Sequence, residues 1–470
     1  MILWARPMAA PAGLLKLWVG AFAVTSPPHP LPIPRFSIGD QTITPQGIPK
    51  WFEVRDKATG PGGQALNYFG VFLLDLQQVL APEQLCKPQS INVVLLGKET
   101  NIFCKPLPAD LPDNGLTLLL SSCFYFESDE GGLARLEPHL TEKPDLIILA
   151  GDQVYLDNPY FETVPSIEPD ISQFFAAKYA RNFLCTDTAA DRGLQPLLRL
   201  APTACIPDDH ELWNNYPSSS PMMWDSFIPS RREKLVRAAR ALYEDYQLGE
   251  PGKPGAQRID IGPLHLLLTD MRFDRVCTHA HDGLYSKGTA IDLARWRDDL
   301  LRAHRRGELA IGVLASGQVL FADRAGALGE LIDDNLQCYA QFSTVQSYLR
   351  ELATAGVPVL FLSGDVHFSR VTAATFRATQ HECLFEVICS PCSLVDPFPH
   401  PTPQTAPLSF DANRFGTRNV QMAEGNLVST LNFHRSGIGV RVQVDYYSLA
   451  SGRVRKLPNH SCSFDMVPRF

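Results

Sequence analysis

The chain reads as an α/β protein built on a mainly parallel sheet buried between helices. Two observations predict this. First, five apolar runs stop abruptly at polar residues. Leu116 to Leu120 precedes Ser121-Ser122-Cys123, and Asp145 to Ala150 precedes Gly151-Asp152-Gln153-Val154-Tyr155. Thr203 to Pro207 precedes Asp208-Asp209-His210-Glu211, His265 to Thr269 precedes Asp270, and Pro358 to Ser363 precedes Gly364-Asp365-Val366-His367. Runs so short and so uniformly apolar predict strands covered on both faces. Second, segments with helical spacing alternate with them: Phe174 to Phe183, Arg231 to Tyr246, Leu293 to Arg306, and one or two helices within Asp323 to Glu351. Strand and helix in alternation imply parallel pairing.

Before these runs, residues 1–112 predict short β segments between turns. Leu15 to Thr25 reads as a strand feeding the Pro-rich turn Ser26 to Pro34. Phe36 to Thr42, Trp51 to Val54, Tyr68 to Leu74 and Ile91 to Leu96 follow, punctuated by Gly60-Pro61-Gly62-Gly63. We expect a small N-terminal β-rich domain over 1–112 and a larger domain over 113–470. The larger domain has its motif core at 115–395 and C-terminal β segments at 430–470, the latter from Asn432-Phe433, Gly439 to Tyr447 and the Ser451-Gly452 turn. Pro391 to Pro407 is a Pro-rich loop.

The composition narrows the function classes. With 470 residues and 45% hydrophobic content, the chain can bury a large core. A net charge of -8 gives no footprint for bulk nucleic-acid binding, although a small phosphorylated substrate fits. No stretch reaches the roughly 18 to 20 apolar residues of a membrane span. Leu14 to Val24 is interrupted by Lys16, no small-residue cleavage site follows, and no twin-arginine pair sits near the start. The 11 cysteines are scattered and odd in number, as in a reducing compartment, so a cytoplasmic location is expected. Oligomeric state is not legible.

In an open α/β sheet, ligands bind beyond the carboxyl ends of the strands. Acidic groups gathered there repel one another unless cations hold them, so a metal site is the simplest reading. Asp152 follows a strand and a glycine, and its two oxygens suit a bridge between two ions; the alternative is a helix cap. In Asp208-Asp209-His210-Glu211, an extended backbone puts Asp209 and Glu211 on one side and Asp208 and His210 on the other; the alternative is a solvated acidic turn. Asp365 and His367, two apart, suit a pair of ligands or a ligand and an acid/base group. Arg272 and Arg275 have forks that match phosphoryl oxygens, or form a surface salt-bridge cluster. Cys123 is a soft donor as thiolate or a buried thiol. His279 and His281 read as structural or exposed. No G-x-S-x-G, Walker or G-x-G-x-x-G motif is present in its required context.

Taken together, Ser122-Cys123, Gly151-Asp152-Gln153-Val154-Tyr155 with Asp157, Asp208-Asp209-His210-Glu211 with Asn214-Asn215, Asp270 with Arg272 and Arg275, Gly317-Gln318, and Gly364-Asp365-Val366-His367 resemble the PhoD-like alkaline phosphatases. These are a branch of the calcineurin-like metallophosphoesterases. The resemblance spans about residues 115–395, with the motifs in the family's order. It implies a four-layer α/β/β/α sandwich and two or more metal ions. Iron(III) is held partly by Cys123, Asp152 and Tyr155, and calcium shares Asp152 and uses Asp209; manganese and zinc are alternatives. Asp365 and His367 match the last ligand motif.

The expected function is hydrolysis of phosphate monoesters or diesters by a metal-bridging hydroxide. Arg272 and Arg275 neutralise developing charge, and His210 assists the leaving oxygen. Competing readings are a catalytically inactive binding or regulatory module of the same fold and a metallohydrolase of another ester or amide.

Overall fold

Two large β-sheets pack face to face in the computed structural model. It describes residues 1–24, 30–47, 50–53, 59–60, 63–64, 66–159, 162–184, 192–250, 255–276, 283–322, 335–394 and 410–470. In the first sheet, Leu116–Ser121, Leu146–Ala150, Thr203–Ile206 and Ile2–Met8 lie side by side in parallel. Leu427–Ser436 and Gly439–Ser448 extend it antiparallel on one flank, and Leu14–Val24 and Leu66–Asp75 on the other. In the second, Leu264–Leu268, Ile311–Ala315, Val359–Ser363 and His381–Ile388 are parallel. Gln257–Ile261, Ser369–Phe376 and Phe415–Ala423 are its antiparallel members.

The expected mainly parallel sheet is thus two mixed sheets, each with a parallel centre. The antiparallel flanks arise because tight hairpins, such as Leu427–Ser436 with Gly439–Ser448, need no helical crossover. The first sheet also runs across residue 112 without a break, since Met8 pairs with Thr203.

Side chains alternate along the buried strands, as a period of two requires. Leu118, Leu120, Ile148, Ala150, Ala204 and Ile206 pack against Leu266, Leu268, Val313, Leu360 and Leu362 of the opposite sheet. Leu119, Ile147, Leu149 and Cys205 point the other way, into a core shared with helices Glu168–Leu184 and Pro229–Tyr243. Leu267, Leu314 and Phe361 meet helices Lys287–Arg305 and Phe342–Ala355 on the outer face of the second sheet. Each buried Leu or Ile contributes about 1.5–3 kcal/mol, so one apolar run stabilises two interfaces at once.

The helices follow from their apolar stripes. Ile171, Phe175, Tyr179 and Phe183 recur every fourth residue and are buried. Ser286 caps its helix by accepting the Thr289 N–H at 3.0 Å, and Leu293, Trp296 and Leu300 form the inner face. The expected helix Arg231 to Tyr246 is observed as Pro229–Tyr243, widening into a π-helical turn over Glu244–Leu248. Residues 323–334, most of Pro391 to Pro407, and His279 and His281 lie outside the described residues. No helix among the described residues is long and apolar enough to cross a membrane.

Candidate metal centre

The strand ends converge through the backbone. The Cys123 N–H donates to Gly151 O at 3.1 Å, Phe124 N–H to Asp152 O at 2.8 Å, and Gly364 N–H to Gly317 O at 3.0 Å. Asp208 fits between the turns at Gly151 and Gly317. A Cβ on Gly151, whose φ is +93°, would lie 2.6 Å from Asp208 Cβ, and one on Gly317 would lie 2.8 Å from it. Glycine is required at both positions for the turns to close.

The backbone is strained where the candidate ligands sit. Cys123, Asp152, Asp365 and His367 have φ of +54°, +58°, +69° and +56°, and Asn215 has +65°. These are five of the nine described non-glycine residues with positive φ. Each costs on the order of 1–3 kcal/mol unless its surroundings hold it, and such strain concentrates at functional sites.

Ligand atoms of Asp152, Asp209 and His210 come within 4.8 Å of one another, and so do those of Asp152, Asp208, Asp209 and Asp365. Asp152 and Asp209 belong to both groups. Cys123 Sγ lies 3.4 Å from Asp152 Oδ2 and accepts the Ser390 hydroxyl at 3.1 Å. Cys123 and His367 are in neither group. The Tyr155 ring centroid is 4.1 Å from that of His210. The His367 N–H donates to Ser390 Oγ at 3.2 Å.

The expected alternation of Asp208 to Glu211 does not occur, because the segment turns into a 3-10 helix over Asp209–Glu211 instead of staying extended. Asp208, Asp209 and His210 all reach the cluster. Glu211 turns inward, where its carboxylate accepts backbone N–H groups from Asp152, Gln153 and Asp208 at 3.0, 2.7 and 2.8 Å.

Both arginines are engaged by protein groups. Arg272 is fully buried, with Nε donating to Asp208 Oδ1 at 2.6 Å and one terminal nitrogen to Tyr216 O at 2.8 Å; its other terminal nitrogen is 3.8 Å from Asp209 Oδ1. Arg275 donates to Met271 O at 2.7 Å and to Gln318 Oε1, with its guanidinium 4.9 Å from the centre of the Tyr339 ring. Asp270 accepts the N–H groups of Arg272 and Phe273, both at 2.9 Å, on one oxygen.

The electrostatics call for positive charge. Burial pushes Asp152 well above the usual carboxylate range, and Asp209, Asp208 and Glu211 add to it against the opposing pull of His210. Burial also raises Asp208 despite Arg272. Burial pushes Asp209 up as well, but Arg272, His210 and the Asn215 N–H more than offset it and leave it below its ordinary value. Burial lifts the Cys123 thiol and the Tyr155 hydroxyl, and nearby carboxylates lift both further. Burial alone would lower His210, yet Asp157, Asp209 and Asp152 hold it well above its usual value.

Asp208 Oδ2 and Asp209 Oδ1 are buried without a hydrogen-bond partner. Buried carboxylates that repel one another and leave oxygens unpaired are costly unless they coordinate cations. The donor set therefore fits metal ions.

Three residues do more here than the sequence indicated. Asp157 accepts His210 Nδ1 at 2.7 Å and the Asn214 N–H at 2.8 Å, fixing the ring. Ser390 supports both Cys123 and His367. Asp208 joins the cluster as a candidate ligand in its own right. Asp157 carried a signal in its spacing from Asp152, whereas Ser390, one hydroxyl among many, carried none.

A model of the family described as PhoD-like phosphatase matches residues 118–427. No curated protein matches the chain. A solved structure titled "Structure of PhoD" aligns with 96% of this chain and 91% of its own length, at a TM-score of 0.55 and 15% identity, a likeness of fold. A GH20 exo-β-N-acetylglucosaminidase from Vibrio harveyi aligns with 77% of this chain and 75% of its own, at a TM-score of 0.13 and 9% identity, too low to carry an argument.

Proposed function

Because the chain belongs to the PhoD-like phosphatase family and is therefore a phosphoric ester hydrolase, we propose that it cleaves phosphate esters at a pair of cations gripped by the strand ends. The observation that carries this reading is that Asp152 and Asp209 each belong to both groups of converging ligand atoms, as a bridging carboxylate must; of the two, Asp152 also lies beside the Cys123 thiol at 3.4 Å, which makes it the bridge. We assign one ion to Cys123, Asp152, Tyr155 and His367, where thiolate and phenolate donors suit iron(III). The other takes Asp152, Asp208, Asp209 and Asp365, whose oxygens suit calcium or another hard divalent ion. The four-layer α/β/β/α arrangement belongs to the same reading, supported by the core between the sheets and the helix-packed cores outside them.

When bound, such ions lower the pKa of water and withdraw charge from a phosphoryl group. The protein's own part is orientation and charge. Asp157 fixes His210 through Nδ1, leaving Nε2 to hold a phosphate oxygen or give a proton to the leaving oxygen. Arg272 favours the ionised forms of Asp208 and Asp209 and holds the two carboxylates in place. Arg275 adds positive charge beside Gln318.

Turnover of nitrophenyl phosphate and of bis-nitrophenyl phosphate, measured with chelated protein and after adding back iron and calcium, tests the proposal. Metal-dependent cleavage of either ester is expected, and the ratio gives the monoester or diester preference. A folded, fully metal-loaded protein that cleaves neither would favour the inactive binding module.

A further inference from the structure

Glu211 belongs to neither group of converging ligand atoms, yet it touches the turns that carry them. Its side chain is fully buried. Oε2 accepts the N–H groups of Asp152 at 3.0 Å and Asp208 at 2.8 Å, and Oε1 accepts the Gln153 N–H at 2.7 Å and Gln247 Nε2 at 3.2 Å. One carboxylate thus joins the turn after Leu146–Ala150 to the turn after Thr203–Ile206.

The fourth donor has its own support. Gln247 lies in the π-helical turn Glu244–Leu248, and such turns are frequent at functional sites. The N-terminal hairpin holds that turn: Trp18 Nε1 donates to Asp245 O at 2.8 Å, and the Arg6 guanidinium donates to Tyr246 O. Arg6 and Trp18 thus hold the backbone of the turn, and the Gln247 side chain carries that support on to Glu211 and through it to Asp152 and Asp208.

We propose that Glu211 is a positioning residue that sets the separation between Asp152 and the Asp208-Asp209 pair, and through it the affinity of the centre for cations, with Gln247 fixing Glu211. The inference rests on the metal reading given above. A carboxylate is the side chain that accepts all four donors at once, because both of its oxygens are acceptors and each takes two. Glutamine in its place turns an NH2 group against two of those donors in either amide orientation: against the Asp152 and Asp208 N–H groups, which parts the two turns, or against the Gln153 N–H and Gln247 Nε2, which loosens one turn and releases Gln247. Groups that hold metal ligands in place typically change metal affinity by about 10–100-fold when replaced.

The test is calorimetric titration of the chelated full-length protein with Mn2+, for wild type, Glu211→Gln and Gln247→Met, alongside melting of the metal-free forms and kcat at saturating Mn2+. Glu211→Gln is expected to weaken Mn2+ binding at least tenfold and Gln247→Met about threefold, below the melting temperature of each. A lower melting temperature with unchanged Mn2+ affinity and kcat overturns the proposal, because that is the signature of a purely structural group. If Glu211→Gln does not fold, Gln247→Met decides alone, and unchanged affinity in it is a refutation. Wild-type protein that binds no Mn2+, Fe3+ or Ca2+ sinks the metal reading itself, a result distinct from tight binding that Glu211→Gln leaves intact.

Discussion

Arg272 Nε donates to Asp208 Oδ1 at 2.6 Å in a pocket where both side chains are about 1% exposed, while Asp208 Oδ2 has no hydrogen-bond partner. One oxygen is anchored to the fold and the other is left for a ligand. The pair neutralises one carboxylate of a cluster that holds at least four.

Arg272→Met keeps the bulk but leaves Asp208 buried without its cation. Breaking a buried pair from one side costs about 3–5 kcal/mol. Urea unfolding of the metal-free protein should show a loss of that order. Saturating metal should restore part of it, because bound cations take over the neutralising role. Equal stability of wild type and variant would mean that Asp208 is not ionised in the fold.

Asp270 gives a pH-dependent prediction. Burial pushes it up to about 6, above an unfolded value of about 3.9. A carboxyl raised by folding favours the native state fully below the unfolded value, and that contribution is lost as pH rises toward the folded one. Both of its backbone partners bond the same oxygen, so Asp270→Asn keeps them and removes the penalty. The variant should match wild type near pH 4 and exceed it above pH 6.5 by up to about 3 kcal/mol. Denaturant midpoints at the two pH values check this; a variant less stable than wild type at pH 8 would contradict it.

Gly151→Ala should be far more damaging than its size suggests. The new Cβ meets Asp208 Cβ at 2.6 Å on a backbone with φ of +93°. Overpacking and left-handed strain each cost about 1–3 kcal/mol, and the displacement falls on two candidate ligands together. Metal uptake should fall more than tenfold even where the fold persists. Retention of full uptake would show that the turn has slack.

Asp157→Asn tests the orientation of His210. The amide preserves shape, but one of its ends now carries donors where His210 Nδ1 or the Asn214 N–H already points. Replacing such a partner typically costs about 10–100-fold. A fall in kcat at saturating metal with little change in melting temperature is the expected pattern, and unchanged kcat would remove His210 from the reaction.

The strand ends were legible because an apolar run that stops at Asp152, Asp208 or Asp365 leaves its carboxylate at a sheet rim whatever the rest of the chain does. The helical stripe of Phe175, Tyr179 and Phe183 was legible for the same local reason, although the helix starts earlier, at Glu168, than the expected Phe174. The pairing of Met8 with Thr203 was not, since nothing local distinguishes one apolar strand from another as a partner across that much chain. Nor were the left-handed backbones of Cys123, Asp152, Asp365 and His367, because residues with a Cβ adopt that conformation only when tertiary contacts impose it. The 3-10 turn over Asp209–Glu211 depends on N–H donors from two separate turns. From the sequence alone, Glu211 therefore looked like one more acid at the rim.

The central claim is that distant strand ends share cations through Asp152. Elemental analysis of the protein purified without chelator, wild type beside Asp152→Asn, measures it most directly. Two bound ions per wild-type chain, with both lost or greatly weakened in the variant, is the predicted result. A wild-type chain without stoichiometric metal, or an Asp152→Asn chain that keeps both ions, would contradict it.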